Sequence, residues 1–190
     1  MPTKELLVVG GPNGAGKSTY AVEFLEQHPC CYLSADAIAA EIAPSDPTSM
    51  RFDAGREFLL RIEQQLALAE DFLVETTLSG RTFRHVLENA KAAGFMVTII
   101  FVYLDSADTC VARVQERVRK GGHDVPEADV RRRYSRSFHN FWHSYRQIAD
   151  LWYVVYNSTS EYIEVAFGKN DEVSVLDEIQ FRTYLKLAEG

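Results

Sequence analysis

Eight residues near the start of the chain have the types and spacing that bind phosphate. Gly11-Pro12-Asn13-Gly14-Ala15-Gly16-Lys17-Ser18 matches the pattern G-x-x-x-x-G-K-[ST] of a P-loop. Glycines let such a loop curl, so that successive backbone N–H groups point at phosphate oxygens. In this pattern the lysine reaches the β- and γ-phosphates, and the serine hydroxyl binds Mg²⁺. We therefore predict an ATP–Mg²⁺ site formed by residues 11–19, which includes Thr19.

The flanking residues favour this interpretation over a glycine-rich turn that matches by chance. The apolar run Leu6–Val9 predicts a buried strand, and Thr19–Gln27 predicts a helix. A strand before the loop and a helix after it are what the motif requires. The helix then directs its positive end at the bound anion.

Asp36 follows the second apolar run, Cys30–Leu33, by three residues. Ligands of open parallel sheets bind at the carboxyl ends of the strands, so we expect Asp36 near the phosphate loop. We predict that it is the base for an acceptor hydroxyl, or a magnesium ligand through water. The alternative is an N-cap of the following helix, a position where Asp is favoured.

A polar segment follows the third apolar run, Phe72–Val74. Glu75 is predicted to be an acidic group near the metal or the substrate. The alternative is that it is a strand-end carboxylate paired for structural reasons. The segment continues with Thr76, Thr77 and Arg81, which we predict contact the acceptor. A plain turn into the next helix is the other interpretation.

Basic residues are concentrated between Arg113 and Arg136. This stretch holds eight Lys and Arg residues against four acids, although the whole chain has a net charge of −7. A basic island in an acidic protein indicates a local anionic ligand. Arginine clamps phosphate oxygens in two places, so Arg117 and Arg132 are predicted to stabilise the transferring phosphate. The segment from about 106 to 150 is predicted to be a helical, Arg-rich lid that excludes water.

Together these groups supply what phosphoryl transfer to a hydroxyl needs: a phosphate cradle, Mg²⁺, a base and positive charge. A nucleotide switch or ATPase acting on a protein partner is the alternative. Phosphorylation of nucleic-acid ends would use the same core, but the charge of −7 argues against nucleic acid as a partner.

Composition and cysteine usage set broader bounds. The 190 residues predict one domain, and 46% hydrophobic residues are ordinary for a globular protein. The three cysteines lack metal or redox spacing, which favours a reducing compartment. We see no leader sequence and no membrane-length apolar run, so a cytoplasmic protein without membrane contact is expected. His123 has no partner at metal-ligand spacing and is interpreted as part of the lid.

The apolar runs alternate with amphipathic helical patterns, which is typical of an α/β protein with a parallel sheet. We predict five parallel strands flanked by helices, the last two at Met96–Leu104 and Trp152–Tyr156. The residues after Asn157 predict a small hairpin about residues 168–171 and a final helix over Leu176–Leu187. The aromatic residues from Phe138 to Tyr145 are spaced for core packing rather than for nucleic-acid stacking.

Several short motifs in order resemble the zeta-toxin-like P-loop kinases. They are Gly-Pro-Asn-Gly-Ala-Gly-Lys-Ser-Thr (11–19), Ser-Ala-Asp (34–36), Glu-Thr-Thr-Leu-Ser-Gly (75–80), Arg-Val-x-x-Arg-Val (113–118), Gly-Gly-His-x-Val-Pro (121–126) and Arg-Arg-Tyr (132–134). The likeness covers roughly residues 4–158. It is greatest to the bacterial branch that is labelled predicted ABC-type ATPase.

The resemblance implies a parallel-sheet kinase core that phosphorylates a small-molecule hydroxyl, as zeta toxins phosphorylate UDP-N-acetylglucosamine. It implies Lys17 and Ser18 for ATP and Mg²⁺, Asp36 as the hydroxyl base, and Glu75 with the Thr76–Thr77 loop at the acceptor. It also implies arginines near Arg117 and Arg132 for the phosphates. An antitoxin protein that blocks the ATP site is the partner that the family implies.

Overall fold

One mixed sheet organises the chain. The structure, a computed structural model, describes residues 4–44, 47–122, 124–158, 161–169 and 172–190. Within these residues the sheet has seven strands in the order β2-β3-β1-β4-β5-β6-β7. The strands are β1 Glu5–Gly10, β2 Cys31–Ser34, β3 Phe72–Thr76, β4 Met96–Tyr103, β5 Leu151–Asn157, β6 Tyr162–Lys169 and β7 Glu172–Val175.

The first five strands are parallel, as predicted, and helices cover both faces. The helices are α1 Lys17–Gln27, α2 Ala35–Ile42, α3 Arg51–Leu68, α4 Phe83–Ala92, α5 Ala107–Arg119, α6 Glu127–Asn140 and α7 Glu178–Glu189. A short 3₁₀ helix, Pro47–Met50, precedes α3, and a π-helical turn, Phe141–Tyr145, continues α6. Strands covered on both faces read as continuous apolar runs, and β4 is buried from Val97 to Tyr103.

The order of the strands decides which side chains reach the phosphate loop. Strand β3 lies between β1 and β2, with Val9 beside Glu75 and Gly10 beside Thr76. Glu75 therefore ends the strand next to the loop that follows β1. Asp36, which follows β2, is one strand further away.

The predicted C-terminal hairpin is confirmed, but it is not a separate unit. Strand β6 pairs antiparallel with β5 and then with β7, so the hairpin extends the parallel sheet at one edge. The predicted turn about residues 168–171 includes positions 170 and 171, which lie outside the described residues. Because β6 runs back toward the amino ends of the parallel strands, its first residue, Tyr162, lies beside Asn157 at the carboxyl edge.

The aromatic residues of α6 and the π-helical turn pack in the core. Phe101 of β4 stacks on Phe141 with ring centroids 4.6 Å apart, and Phe138 lies edge-on at 5.3 Å. Tyr134 is buried and donates a hydrogen bond to the Leu104 carbonyl at 2.7 Å. This confirms core packing as their role. It also anchors the α6 part of the predicted lid to the sheet.

Candidate active site

The phosphate loop follows β1 and takes a conformation that needs glycine. Gly11, Gly14 and Gly16 have φ angles of 137°, 81° and 94°, in the region that side chains rarely adopt. A Cβ at Gly11 would lie 2.0 Å from the Val102 carbonyl oxygen, and one at Gly14 would lie 2.4 Å from that of Cys110. Neighbouring backbone therefore excludes larger residues from this loop.

Side chains from strands β5 and β6 hold the phosphate loop in place. Asn157 donates a hydrogen bond from Nδ2 to the Ala15 carbonyl at 2.8 Å, and the Tyr162 hydroxyl donates to the Gly16 carbonyl at 2.9 Å. These two bonds fix the carbonyls of the two residues that precede Lys17.

Lys17 and Ser18 open α1 beside the Glu75 carboxylate. The buried Lys17 ammonium donates to the Pro12 carbonyl at 3.0 Å and lies 3.8 Å from Glu75 Oε1. The Ser18 hydroxyl donates to the same carboxylate oxygen at 3.0 Å. Tyr32 donates to Oε2 at 2.5 Å, and burial together with this carboxylate raises the pKa of Tyr32. Hard oxygen donors of this kind suit Mg²⁺, so Ser18 and Glu75 form a fitting pair of metal ligands.

Asp36 lines the same cleft but lies in the first turn of α2 rather than at its cap. Ser34 is the N-cap residue, in an extended conformation, and Asp36 is the second residue of the helix. Its carboxylate is exposed to the cleft. The N-cap interpretation of Asp36 is therefore wrong, while its role as a base stays a prediction.

The basic island divides between the cleft and the surface. Arg113 and Arg117, one helical turn apart on α5, both line the cleft and are partly buried. Arg132 is half exposed, pairs with Asp129 at 2.9 Å and is absent from the described lining. Its neighbour Arg133 instead donates to Asn13 Oδ1 of the phosphate loop at 3.3 Å.

The predicted acceptor segment after Glu75 is a fixed loop. Leu78 takes a left-handed φ of 54° and is buried, and its carbonyl accepts a hydrogen bond from Asn140 at 3.1 Å. The Gly80 carbonyl accepts one from the Tyr145 hydroxyl at 2.6 Å. The base of the predicted lid thereby holds this loop.

The predicted acceptor residues are not all at the main cleft. Thr77 bonds to Ser79 within the loop at 2.8 Å, and Thr76 lines a second, smaller cavity. Arg81 is exposed and is not among the described residues that line either cavity. The contact of these three residues with an acceptor remains a prediction.

The main cleft has a volume of about 1160 Å³ and brings the groups above to one edge of the sheet. Sequence reasoning did not single out Arg113, Tyr32 or Tyr162. The sequence did contain a sign that Arg113 belongs to the site, because it lies four residues before Arg117 on the same helix face. Tyr162 had none, since its place depends on the antiparallel pairing of β6 with β5.

The described residues hold no group of three or more His, Cys, Asp or Glu side chains placed to bind a metal ion. Among them, no helix has the length and apolar character needed to cross a membrane. His123, which was assigned to the lid, lies outside the described residues.

Comparison with solved structures identifies the fold. A chain of the AvrRxo1-ORF1:-ORF2 complex with ATP has a TM-score of 0.75 at 17% identity, over 98% of this chain and 64% of that one. A chain of the PezAT toxin-antitoxin system of Streptococcus pneumoniae has a TM-score of 0.68 at 12% identity, over 100% and 87%. A gluconokinase from Sinorhizobium meliloti has a TM-score of 0.53 at 17% identity, and the match covers 98% of this chain and 92% of that one. The chain thus has a P-loop kinase-like α/β fold, and it spans less than two thirds of the AvrRxo1 chain.

Sequence comparison finds relatives over much of the chain. An uncharacterized protein of Haemophilus influenzae is 34% identical over 128 residues, which are 65% of this chain and 88% of that protein. A guanylate kinase of Gloeobacter violaceus is 29% identical over 161 residues, 72% of this chain and 73% of that one. The family model AAA_33, described as an AAA domain, matches residues 6–139, from β1 to the end of α6. With its phosphate loop inside that match, the chain belongs to the AAA_33 family.

Proposed function

We propose that this protein is a kinase that transfers the γ-phosphoryl group of ATP to a hydroxyl of a small molecule. The observation that carries the proposal is the convergence of the phosphate loop, Asp36, Glu75 and the arginines Arg113 and Arg117 on one cleft of about 1160 Å³. A nucleotide switch has no use for an acceptor base, whereas Asp36 is exposed and lines the same cleft as the phosphate loop. The kinase-like fold supports the same conclusion.

Each group has a role that follows from its charge and position. Lys17 would neutralise the β- and γ-phosphates, while Ser18 and Glu75 would hold Mg²⁺, which supplies further positive charge. Asp36 would accept the proton of the attacking hydroxyl. Arg113 and Arg117 would stabilise charge on the phosphates from the α5 side.

We further propose that the acceptor is a nucleotide sugar such as UDP-N-acetylglucosamine and that the chain is of zeta-toxin type. The resemblance of its motifs to that family supports this, as does the structural similarity to a chain of the PezAT toxin-antitoxin system. The cleft is larger than the phosphate loop needs, so it has room for an acceptor beside ATP.

Transfer of a radiolabelled γ-phosphate from Mg-ATP to UDP-N-acetylglucosamine tests this function. We expect label on the sugar nucleotide with the native protein and a loss of about 1000-fold or more in Lys17→Ala and Asp36→Asn. Asp36→Asn should still bind ATP, and Asp53→Asn on α3 provides a matched carboxylate outside the cleft lining. Transfer at the native rate by Asp36→Asn would refute the role of the base.

A protein partner is a second proposal, because two structural neighbours come from complexes, AvrRxo1-ORF1:-ORF2 and the PezAT toxin-antitoxin system. A cognate antitoxin would block transfer by covering the ATP cleft. ATP hydrolysis without any acceptor, stimulated by that partner, would instead favour an ATPase or switch over a kinase.

A further inference from the structure

Two histidines lie one turn apart where α6 ends and the π-helical turn begins. His139 is the next-to-last residue of α6, and His143 is the third residue of the turn Phe141–Tyr145. Both side chains are exposed, although Phe138 and Asn140 beside them are buried. The pair therefore stands on the outer face of a segment whose inner face belongs to the core.

The two imidazole rings are in contact. Their centroids lie 4.6 Å apart and their planes are inclined by 41°. Two imidazoles that bind one ion through bonds of about 2.1 Å, at an angle of about 90°, have centroids roughly 4.5 Å apart. The rings thus already have the separation that a shared metal ion imposes. The terminal torsion of histidine is soft, so a nitrogen of each ring can turn toward such an ion.

The protein makes no other use of these ring nitrogens. Among the described residues, the structure records no hydrogen bond or ion pair to His139 or His143. The exposed His85 of α4, by contrast, bonds to Glu88 at 3.3 Å. Two histidines four residues apart on one helical face are a recurrent pair of metal ligands. Their spacing, contact and exposure therefore point to a metal ion from solution.

We propose that His139 and His143 bind a divalent transition-metal ion such as Cu²⁺ or Ni²⁺. Imidazole nitrogen suits these ions, and an angle near 90° fits their tetragonal geometry. Mg²⁺ prefers oxygen ligands and does not compete, so this site is distinct from the Mg²⁺ ligands proposed at the phosphate loop. The described residues place no third His, Cys, Asp or Glu beside the pair, so water completes the coordination. The inference does not depend on the proposed kinase function.

The charge of Arg136 limits the affinity of the site. This exposed residue lies three positions before His139, on the same face of α6. Its positive charge opposes that of the ion. Two further arginines near the pair are engaged elsewhere: Arg146 lies over the Trp142 ring at 4.0 Å, and Arg84 pairs with a carboxylate of its own helix at 2.8 Å. Removal of the Arg136 charge should therefore tighten metal binding.

The test titrates the full chain, without an affinity tag, with Ni²⁺ and follows the heat of binding. We expect one ion per chain. The Kd should rise at least about tenfold in both His139→Gln and His143→Gln, because a chelate loses its advantage when either ligand is removed. His85→Gln, which alters an exposed histidine on another helix, should bind as the native protein does. Arg136→Gln should give a lower Kd than the native protein.

Two further readouts locate the ion and check the fold. Ni²⁺ should raise the melting temperature of the native protein and not that of the two histidine variants, whose metal-free melting temperatures should match the native value. Cu²⁺, which is paramagnetic, should broaden the backbone NMR signals of residues 139–143 before any others.

Separate binding by each histidine predicts a different result. Each single variant would then lose one of two ions and keep the native affinity for the other, which would overturn the proposal. An unchanged Kd in both variants would do the same, as would broadening centred elsewhere or no binding of either ion by the native protein. Failure of label transfer to the nucleotide sugar would reject the kinase and leave this site untouched.

Discussion

The Ser18 hydroxyl donates a hydrogen bond to Oε1 of Glu75 at 3.0 Å and so joins the start of α1 to the end of β3. Tyr32 holds the other carboxylate oxygen at 2.5 Å, which fixes the orientation of the group. Glu75 is thereby placed beside both side chains through which a P-loop handles phosphate and Mg²⁺. The two interpretations of Glu75, a strand-end carboxylate paired for structural reasons and an acidic group near the metal, are compatible, because one of its hydrogen-bond partners is Ser18 of the phosphate loop.

Replacement of Glu75 by glutamine should raise the Mg²⁺ concentration needed for half-maximal activity by about tenfold. The amide keeps the size of the side chain but removes the negative charge that a hard cation prefers. Tyr32→Phe should give a smaller rise, since it frees the carboxylate to rotate. Glu161→Gln, an exposed carboxylate lining the same cleft, is the control. An unchanged Mg²⁺ requirement in Glu75→Gln would remove Glu75 from the metal site.

Two glycines with similar backbone angles should respond differently to alanine. Gly16 and Gly94 have φ angles of 94° and 84°, and the left-handed backbone alone should cost each alanine variant about 1 kcal/mol in the free energy of unfolding. Only at Gly16 would the new Cβ meet an atom closely, Asn157 Nδ2 at 2.2 Å. We therefore expect Gly16→Ala to lose ATP binding and Gly94→Ala to keep it, as measured by equilibrium titration. Equal ATP affinity in the two variants would contradict a rigid loop.

Loss of the hydrogen bonds from β5 and β6 should weaken nucleotide binding. Asn157→Ala and Tyr162→Phe each remove a bond to a loop carbonyl, at 2.8 and 2.9 Å. A bond of this kind contributes about 1 kcal/mol, so the Kd for ATP should rise by about fivefold in each variant. The double variant should fall short of the product of the two effects, because both bonds hold one loop. Tyr153→Phe on β5, outside the cleft lining, should leave the Kd unchanged.

Tyr145→Phe should affect the acceptor more than ATP. The phenol donates a hydrogen bond to the Gly80 carbonyl at 2.6 Å, and without it this loop is held chiefly through Asn140. We expect a higher KM for the acceptor, an unchanged Kd for ATP, and a loss of about 1 kcal/mol in the free energy of unfolding. Tyr20→Phe, on α1 in the main cleft, serves for comparison. A rise in the Kd for ATP alone would place the loop at the nucleotide instead.

Thiol reactivity should separate the three cysteines. Burial raises the pKa of the Cys110 thiol to about 12, whereas Cys30 and Cys31 are partly exposed, with pKa values raised to a lesser degree. At pH 8 a thiol-specific reagent should therefore modify two cysteines in the native protein and the third only after unfolding. Cys110→Ala identifies the protected residue. Modification of all three cysteines in the folded state would show that Cys110 is accessible.

The same thiol should make stability depend on pH. The unfolded thiol releases its proton near pH 8.5, but the folded one retains it up to about pH 12. The folded state therefore binds more protons in this window, and the free energy of unfolding falls as the pH rises through it. Denaturant titrations at pH 7.5 and 9.5 should show a decrease about 1 kcal/mol larger in the native protein than in Cys110→Ala.

The sequence by itself predicted those features that depend on neighbouring residues. The phosphate loop, its strand and its helix lie within residues 5–27, and the spacing of glycines, lysine and serine is a local pattern. The five parallel strands and the final hairpin were also predictable, because continuous apolar runs and amphipathic stripes record burial directly. The aromatic stripe of α6 was recognised as core for the same reason.

Tertiary structure decided which of the candidate groups meet. Strand order placed β3 between β1 and β2, so Glu75 contacts Ser18 while Asp36, which was expected near the phosphate loop, follows a strand further from it. Successive residues of a helix point in different directions, and on α6 it is Arg133, rather than Arg132, that faces Asn13. The antiparallel turn of β6 brought Tyr162 to Gly16 over a separation of 146 residues. Such contacts depend on how distant elements pack, and no local pattern of residue types encodes that packing.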